Sequence, residues 1–123
     1  MTRHYLIALM LLGSLVAFAQ TADIRGSGDD VTASGNAFLR VCGKASMTDN
    51  EFGYCHGYVY GVTEMFAVGT LGKHVFCEPN KVTRGQEYDI VVKFIRDNPK
   101  LAHAATANLI QWAMIDAFPC PKK

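Results

Sequence analysis

The fold is decided by residues 48–66, TDNEFGYCHGYVYGVTEMF, where a capping signal opens an unbroken helical period. Thr48 and Glu51 stand three apart, so hydroxyl and carboxylate can reciprocally satisfy free backbone amides at a helix start. Behind this box Phe52, Cys55, Val59, Val62 and Phe66 recur at steps of three and four, a single stripe facing a core. A second stripe consists of Gly53, Gly57 and Gly61. Each glycine costs a helix about 1 kcal/mol relative to alanine, so three in a line point to a surface that something approaches closely. Another helix of the same chain meets that need, and so does a second copy of the chain in a dimer.

Working outward, Ser34 is placed to cap a helix over 35–42, with Phe38, Val41 and Cys42 on one face and Gly43 as its stop. After the central helix, 68–75 (VGTLGKHV) carries two glycines and a lysine and reads as an exposed loop. Thr83 and Gln86 form a second capping box, followed by an inward stripe of Tyr88, Val91, Phe94 and Ile95 that ends at Asn98-Pro99. Proline suits a first helical turn, so a fourth helix is expected from Pro99 to Ala117, with Leu101, Ala105, Leu109 and Trp112 facing in. No stretch of any length has strand periodicity. The expectation is an all-α fold, four main helices in two antiparallel hairpins.

The chain has 123 residues, 50% hydrophobic and 19% charged, enough for one domain and too apolar for disorder. Its formal charge of +1 excludes a binder that works by displacing counterions from nucleic acid. Residues 1–19 have the three parts of a secretory signal peptide: Arg3 near the start, the uncharged run LIALMLLGSLV, and Ala17-Phe18-Ala19 before a cut at Gln20. Spanning a bilayer takes about 20 apolar residues, so this run is too short to anchor, and no membrane association is expected after cleavage. Removing Arg3 leaves acids and bases equal in number. Residues 20–33 are polar and Gly-rich and read as a flexible lead-in, 34–120 as the single domain and 121–123 as a tail.

Four cysteines can pair in three ways. A short link makes the first two helices antiparallel neighbours, bringing Cys42 at the end of one to Cys55 in the first turns of the next. Cys77 stands just before the third helix and Cys120 just after the fourth, ends that meet in a hairpin. The expected disulfides are therefore Cys42–Cys55 and Cys77–Cys120, closing loops worth roughly 3 and 4 kcal/mol on chain entropy. An exported chain of about one hundred residues has an oxidising destination and a marginal core that needs them. The spacing of the cysteines suits neither zinc nor haem.

His56, His74 and His103 fall in different elements without metal-ligand spacing, and no two acids are spaced as a general acid and base. Glu64 is the acid expected to be partly buried, paired with a basic side chain. Nucleophile, phosphate-loop and zinc-protease motifs are absent. These residues describe a binding protein with no catalytic, metal or cofactor site.

Several segments together resemble the Tai/Rap family of immunity proteins: Ser34-Gly35-Asn36 with Cys42, and Cys55 with Gly57-Tyr58-Val59 and Gly61-Val62. To these are added Phe76-Cys77-Glu78-Pro79 leading into Val82-Thr83-Arg84-Gly85-Gln86, Val91-Val92 before Asn98-Pro99, and Ala113, Ala117 and Phe118-Pro119-Cys120. The resemblance covers about Ser34–Cys120. It implies a periplasmic, helical, disulfide-bonded and often dimeric protein that plugs the Cys-His cleft of a peptidoglycan amidase effector delivered by type VI secretion. Such a protein has no catalysis of its own. For the plug, the glycines around a charged tip point to Gly69, Thr70, Leu71, Gly72, Lys73 and His74, with the corner Asn98–Lys100 second. Two readings of other classes fit the same helical, disulfide-bonded character: an acid-stress chaperone of the periplasm, which would expose apolar surface at low pH, and a non-enzymatic envelope protein.

Overall fold

A computed structural model describes residues 30–69 and 74–122. The expected signal peptide, residues 20–29 of the lead-in and Lys123 lie outside the described residues. Four helices follow in order: α1 (Gly35–Cys42), α2 (Asp49–Ala67), α3 (Arg84–Asp97) and α4 (Thr106–Ala117), with no strand among the described residues.

Both capping boxes form. Thr48 accepts from the Glu51 amide while the Glu51 carboxylate accepts from the Thr48 amide, and Thr83 and Gln86 repeat the exchange at α3. Lys44 pairs with Glu51 at 2.7 Å, and together with the Thr48 amide it holds that carboxyl well below its ordinary range. At α1 the Ser34 hydroxyl accepts from the Ala37 amide. The two amides before it reach across the molecule, Gly35 N–H to the Ala104 carbonyl at 3.1 Å and Asn36 N–H to the Ala102 carbonyl at 2.9 Å.

That crossing explains why α4 begins at Thr106 rather than at Pro99. Residues 99–104 are turns, closed by three-residue bonds from Leu101 to Asn98, Ala102 to Pro99 and Ala104 to Leu101. The carbonyls of Ala102 and Ala104, turned toward α1, are lost to a helical ladder. Thr106 is held in turn from the lead-in, its amide donating to the Thr32 carbonyl and its hydroxyl to that of Val31. The inward face of α4 is consequently Thr106, Leu109, Ile110, Ala113 and Met114, while Leu101, Ala105 and Trp112 are exposed. Of the four expected core positions only Leu109 is one. Residues 30–33, read as part of a flexible lead-in, are packed structure, with Val31 fully buried.

The α2 stripe is also displaced. Its buried line is Cys55, Val59 and Thr63, with Val62 and Phe66 half-buried. Phe52 is exposed and lies on the His56 ring at 4.0 Å between centroids, and His56 stacks on Tyr88 at 3.9 Å. The Tyr88 hydroxyl donates to the Cys42 carbonyl, tying this stack to the end of α1. In α3, Tyr88, Val91 and Ile95 are buried as expected, joined by Val92 and by Glu87, while Phe94 is half-buried.

Both disulfides are those the helix order predicts, Cys42–Cys55 with 5.6 Å and Cys77–Cys120 with 4.8 Å between Cα atoms. Each helix touches the other three around a core that includes Phe38, Phe76, Ile95, Leu109, Ile110 and Met114.

Gly35 sits where α1 meets this core: a Cβ there would lie 2.5 Å from Leu109 Cδ1 and 2.9 Å from Ile95 Cγ2. Gly35→Ala should lower stability by about 1–3 kcal/mol in urea unfolding through overpacking. Gly57→Ala, with open space around its Cβ, should not lower the stability of the single chain.

Candidate functional site

Between α2 and α3 the chain crosses the molecule with its middle anchored at both ends. Phe76 is buried, and Cys77 is bonded to Cys120 and donates its amide to the Phe118 carbonyl at 2.8 Å. Pro79 then turns the chain, its carbonyl accepting from the amides of Lys81 and Val82, before the Thr83 cap starts α3. This path carries Glu78 past the first turn of α3, where Arg84 and Glu87 project, and across from Tyr60, Glu64 and Ala67 of α2. Those three share one side of α2 through helical spacing. A cavity of about 600 Å³ lies between them, within the range of ligand clefts.

The wall of this cavity is acidic. Glu64 is exposed, Glu78 half-buried and Glu87 only 5% exposed. Glu87 Oε2 has no hydrogen-bond partner among the described residues. Burial raises the Glu87 carboxyl to about 7, reinforced by the neighbouring charges of Glu78 and Glu64 and by a hydrogen bond to Glu78 that favours its protonated form. Burial also raises Glu78, against the hydrogen bond from Glu87 that lowers it. The guanidinium of Arg84 lies 3.8 Å from the centre of the Tyr60 ring, a cation–π contact. Among the described residues, ion pairs join Lys44 to Glu51 and Lys93 to Asp97, and none reaches these three acids.

His74 closes one end of the cavity, its Nδ1 lying 2.6 Å from the Ala67 carbonyl in the last turn of α2. A histidine there suits the negative end of a helix. Gly69, with φ of 70°, takes the left-handed conformation that leads the chain off α2. Thr70, Leu71, Gly72 and Lys73 of the expected contact loop lie outside the described residues. Asn98–Lys100, the second expected corner, is remote in sequence and does not line the cavity.

Gly53, Gly57 and Gly61 form an exposed line on α2, and a Cβ on any of them meets nothing within 4 Å. No helix among the described residues packs on that line, so the reading of an internal close contact is not what the fold makes of it. Gly57, Gly61 and Glu64 stand at i, i+4 and i+7, so the line runs toward the Glu64 edge of the cavity. Cys42 and Cys55 are in the core, whereas Cys77 is exposed and belongs to the cavity wall.

The buried acid is Glu87 and not Glu64. Glu64, expected to be partly buried beside a base, is exposed and without an ion pair among the described residues; Glu87 is the buried carboxyl. Its signal was present, because Glu87, Val91 and Ile95 follow one another at i, i+4 and i+8 on the apolar side of α3. Among the described residues, no group of three His, Cys, Asp or Glu side chains could hold a metal ion. No described helix is long and apolar enough to cross a membrane.

Compared with known proteins, the chain is matched over residues 34–120 by the family model of Rap1a immunity proteins. No curated protein and no solved structure matches it.

The raised carboxyl of Glu87 binds its proton more tightly folded than unfolded, so folding stability should fall as pH rises from about 4.5 through about 7. The loss is of order 3 kcal/mol at most. Glu87→Gln should remove that part of the dependence: thermal unfolding should show it more stable than the parent chain near pH 8 and no more stable near pH 4.5.

Proposed function

Because the chain belongs to the family of Rap1a immunity proteins, we propose that it binds a peptidoglycan amidase effector of a type VI secretion system and occludes its active site. The family match over residues 34–120 carries this reading, since it spans all four helices and all four cysteines. Action in the periplasm is supported by the leader pattern of residues 1–19 and by two disulfides, which an oxidising compartment allows to form.

Occlusion asks for a projecting segment and a flanking surface that together bury on the order of 1,600 Å². Residues Gly69–His74 are our choice for the segment that enters the effector's cleft, with Lys73 and His74 as its polar contacts. The chain performs no catalysis in this reading, because filling a hydrolase cleft is sufficient to stop it. A second copy of the chain is assigned to the line of Gly53, Gly57 and Gly61, whose open surroundings leave the α2 backbone accessible to close approach.

The test begins with any small secreted amidase found encoded beside this chain, or with an amidase captured from periplasmic extract. Purified protein should abolish its hydrolysis of peptidoglycan at equimolar ratio, and the double variant Lys73→Ala, His74→Ala should bind it at least about tenfold more weakly, about 1.4 kcal/mol. Unchanged affinity in that variant removes the loop assignment; an amidase left fully active by the parent protein removes the occlusion reading. For the dimer, Gly57→Leu should shift sedimentation equilibrium from dimer to monomer while leaving the helical circular dichroism spectrum intact.

A further inference from the structure

Among the described residues, no ion pair reaches the acids that line this cavity. Three carboxyls, Glu64, Glu78 and Glu87, share its wall with a single guanidinium, that of Arg84, which is spent on the face of Tyr60. Arg84 is the weakest of the influences on Glu87, and its pull toward ionisation is outweighed by burial and by the two neighbouring acids. Glu87 itself is 95% buried and its Oε2 has no partner among the described residues, an arrangement that ordinarily costs about 1–3 kcal/mol. Of the other polar residues in the wall, His74 turns its Nδ1 to the Ala67 carbonyl rather than to the acids.

We propose that this cavity receives a cationic side chain, an arginine or a lysine, presented by the effector, with Glu87 and Glu78 as its carboxylate partners and Glu64 guarding the entrance. The inference rests on the occlusion reading for the identity of the partner and on the cavity's own chemistry for the charge of what enters. A guanidinium or ammonium supplies the hydrogen-bond donors that Oε2 lacks and separates the charges of Glu78 and Glu87, as charge-assisted pairs do. The apolar stem of either side chain finds the ring of Phe76 and the methyl of Ala67 in the same wall. Entry of the cation ionises Glu87 and releases its proton, so binding should tighten as pH rises. Hot-spot residues of an interface sit in well-packed, desolvated pockets, the setting this cavity would give the cation.

The experiment needs no effector. ¹⁵N-labelled full-domain protein is titrated with N-acetyl-argininamide, N-acetyl-lysinamide and the neutral isostere N-acetyl-citrullinamide, following amide shifts. The expected result is saturable binding of one or both cations in the millimolar range, with shifts confined to Tyr60, Phe76–Glu78 and Arg84–Glu87. Affinity should rise about tenfold between about pH 6 and about pH 8. Glu87→Gln should weaken binding about tenfold and flatten its pH dependence, and Glu64→Gln, at an exposed position that tolerates exchange, should weaken it about threefold. Citrullinamide binding as well as argininamide, shifts that fall elsewhere, no saturation by about 50 mM, or full affinity in Glu87→Gln each overturns the proposal. The two readings fail separately. Uptake of the cations by a chain that inhibits no amidase overturns the effector as their source, and an amidase held with full affinity by Glu87→Gln overturns the anchor while occlusion stands.

Discussion

A helix begins with amides that its own ladder cannot satisfy, and the way α1 meets this requirement organises the molecule. Ser34 serves one of them in the ordinary manner, but Gly35 and Asn36 find their acceptors in the turn between α3 and α4. For those bonds to form, α1 must lie against the far hairpin, so close that position 35 has no room for a side chain. The turn must offer its carbonyls sideways instead of continuing as helix. Thr106 then starts α4 with partners from Val31 and Thr32, which brings the segment before α1 into the core. Two hairpins that could have packed loosely are in this way locked at one end by backbone bonds.

The opposite end of the bundle is held covalently. Cys77–Cys120 joins the entry to α3 with the exit from α4, and the Cys77 amide adds a bond to Phe118. Between this staple and the Thr83 cap the chain has only five residues, and they include Glu78 and the Pro79 turn. The cavity exists because this short crossing is held away from α2 on one side and fixed to α3 on the other. A carboxyl on the buried side of α3 is thereby kept from solvent without an ion pair among the described residues.

Much of this was legible in the chain itself, for physical reasons that differ by element. The capping boxes Thr48/Glu51 and Thr83/Gln86 are local exchanges between residues three apart, so their reading needs no tertiary knowledge. The cysteine pairing follows from helix order and short links. The start of α4 was not legible: Pro99 is as good an opening residue as the chain contains, and only the demand of distant amides on Ala102 and Ala104 overrides it. Phe52 matched the core period of α2, yet the ring of His56 offered it a stacking partner outside. For the site, individual acids could be counted, but their convergence depends on where residues 76–79 cross, and pattern in one dimension does not carry that. The glycine line of α2 reads in the sequence as a surface of close approach, and among the described residues nothing lies within 4 Å of a Cβ placed on it.

The two staples differ in depth, and this has a consequence for where the protein can act. Cys42 and Cys55 are sealed in the interior, whereas Cys77 stands at the surface in the rim of the cleft. A reductant therefore reaches the second bond first, and what it frees is the strap that shapes the acidic recess rather than the scaffold behind it. Where thiols stay reduced, the strap at Cys77 would lack its tie to Cys120. Under the proposed periplasmic action, passage across the membrane would both deliver the chain and complete it, confining a competent recess to the side where sulfur atoms stay joined.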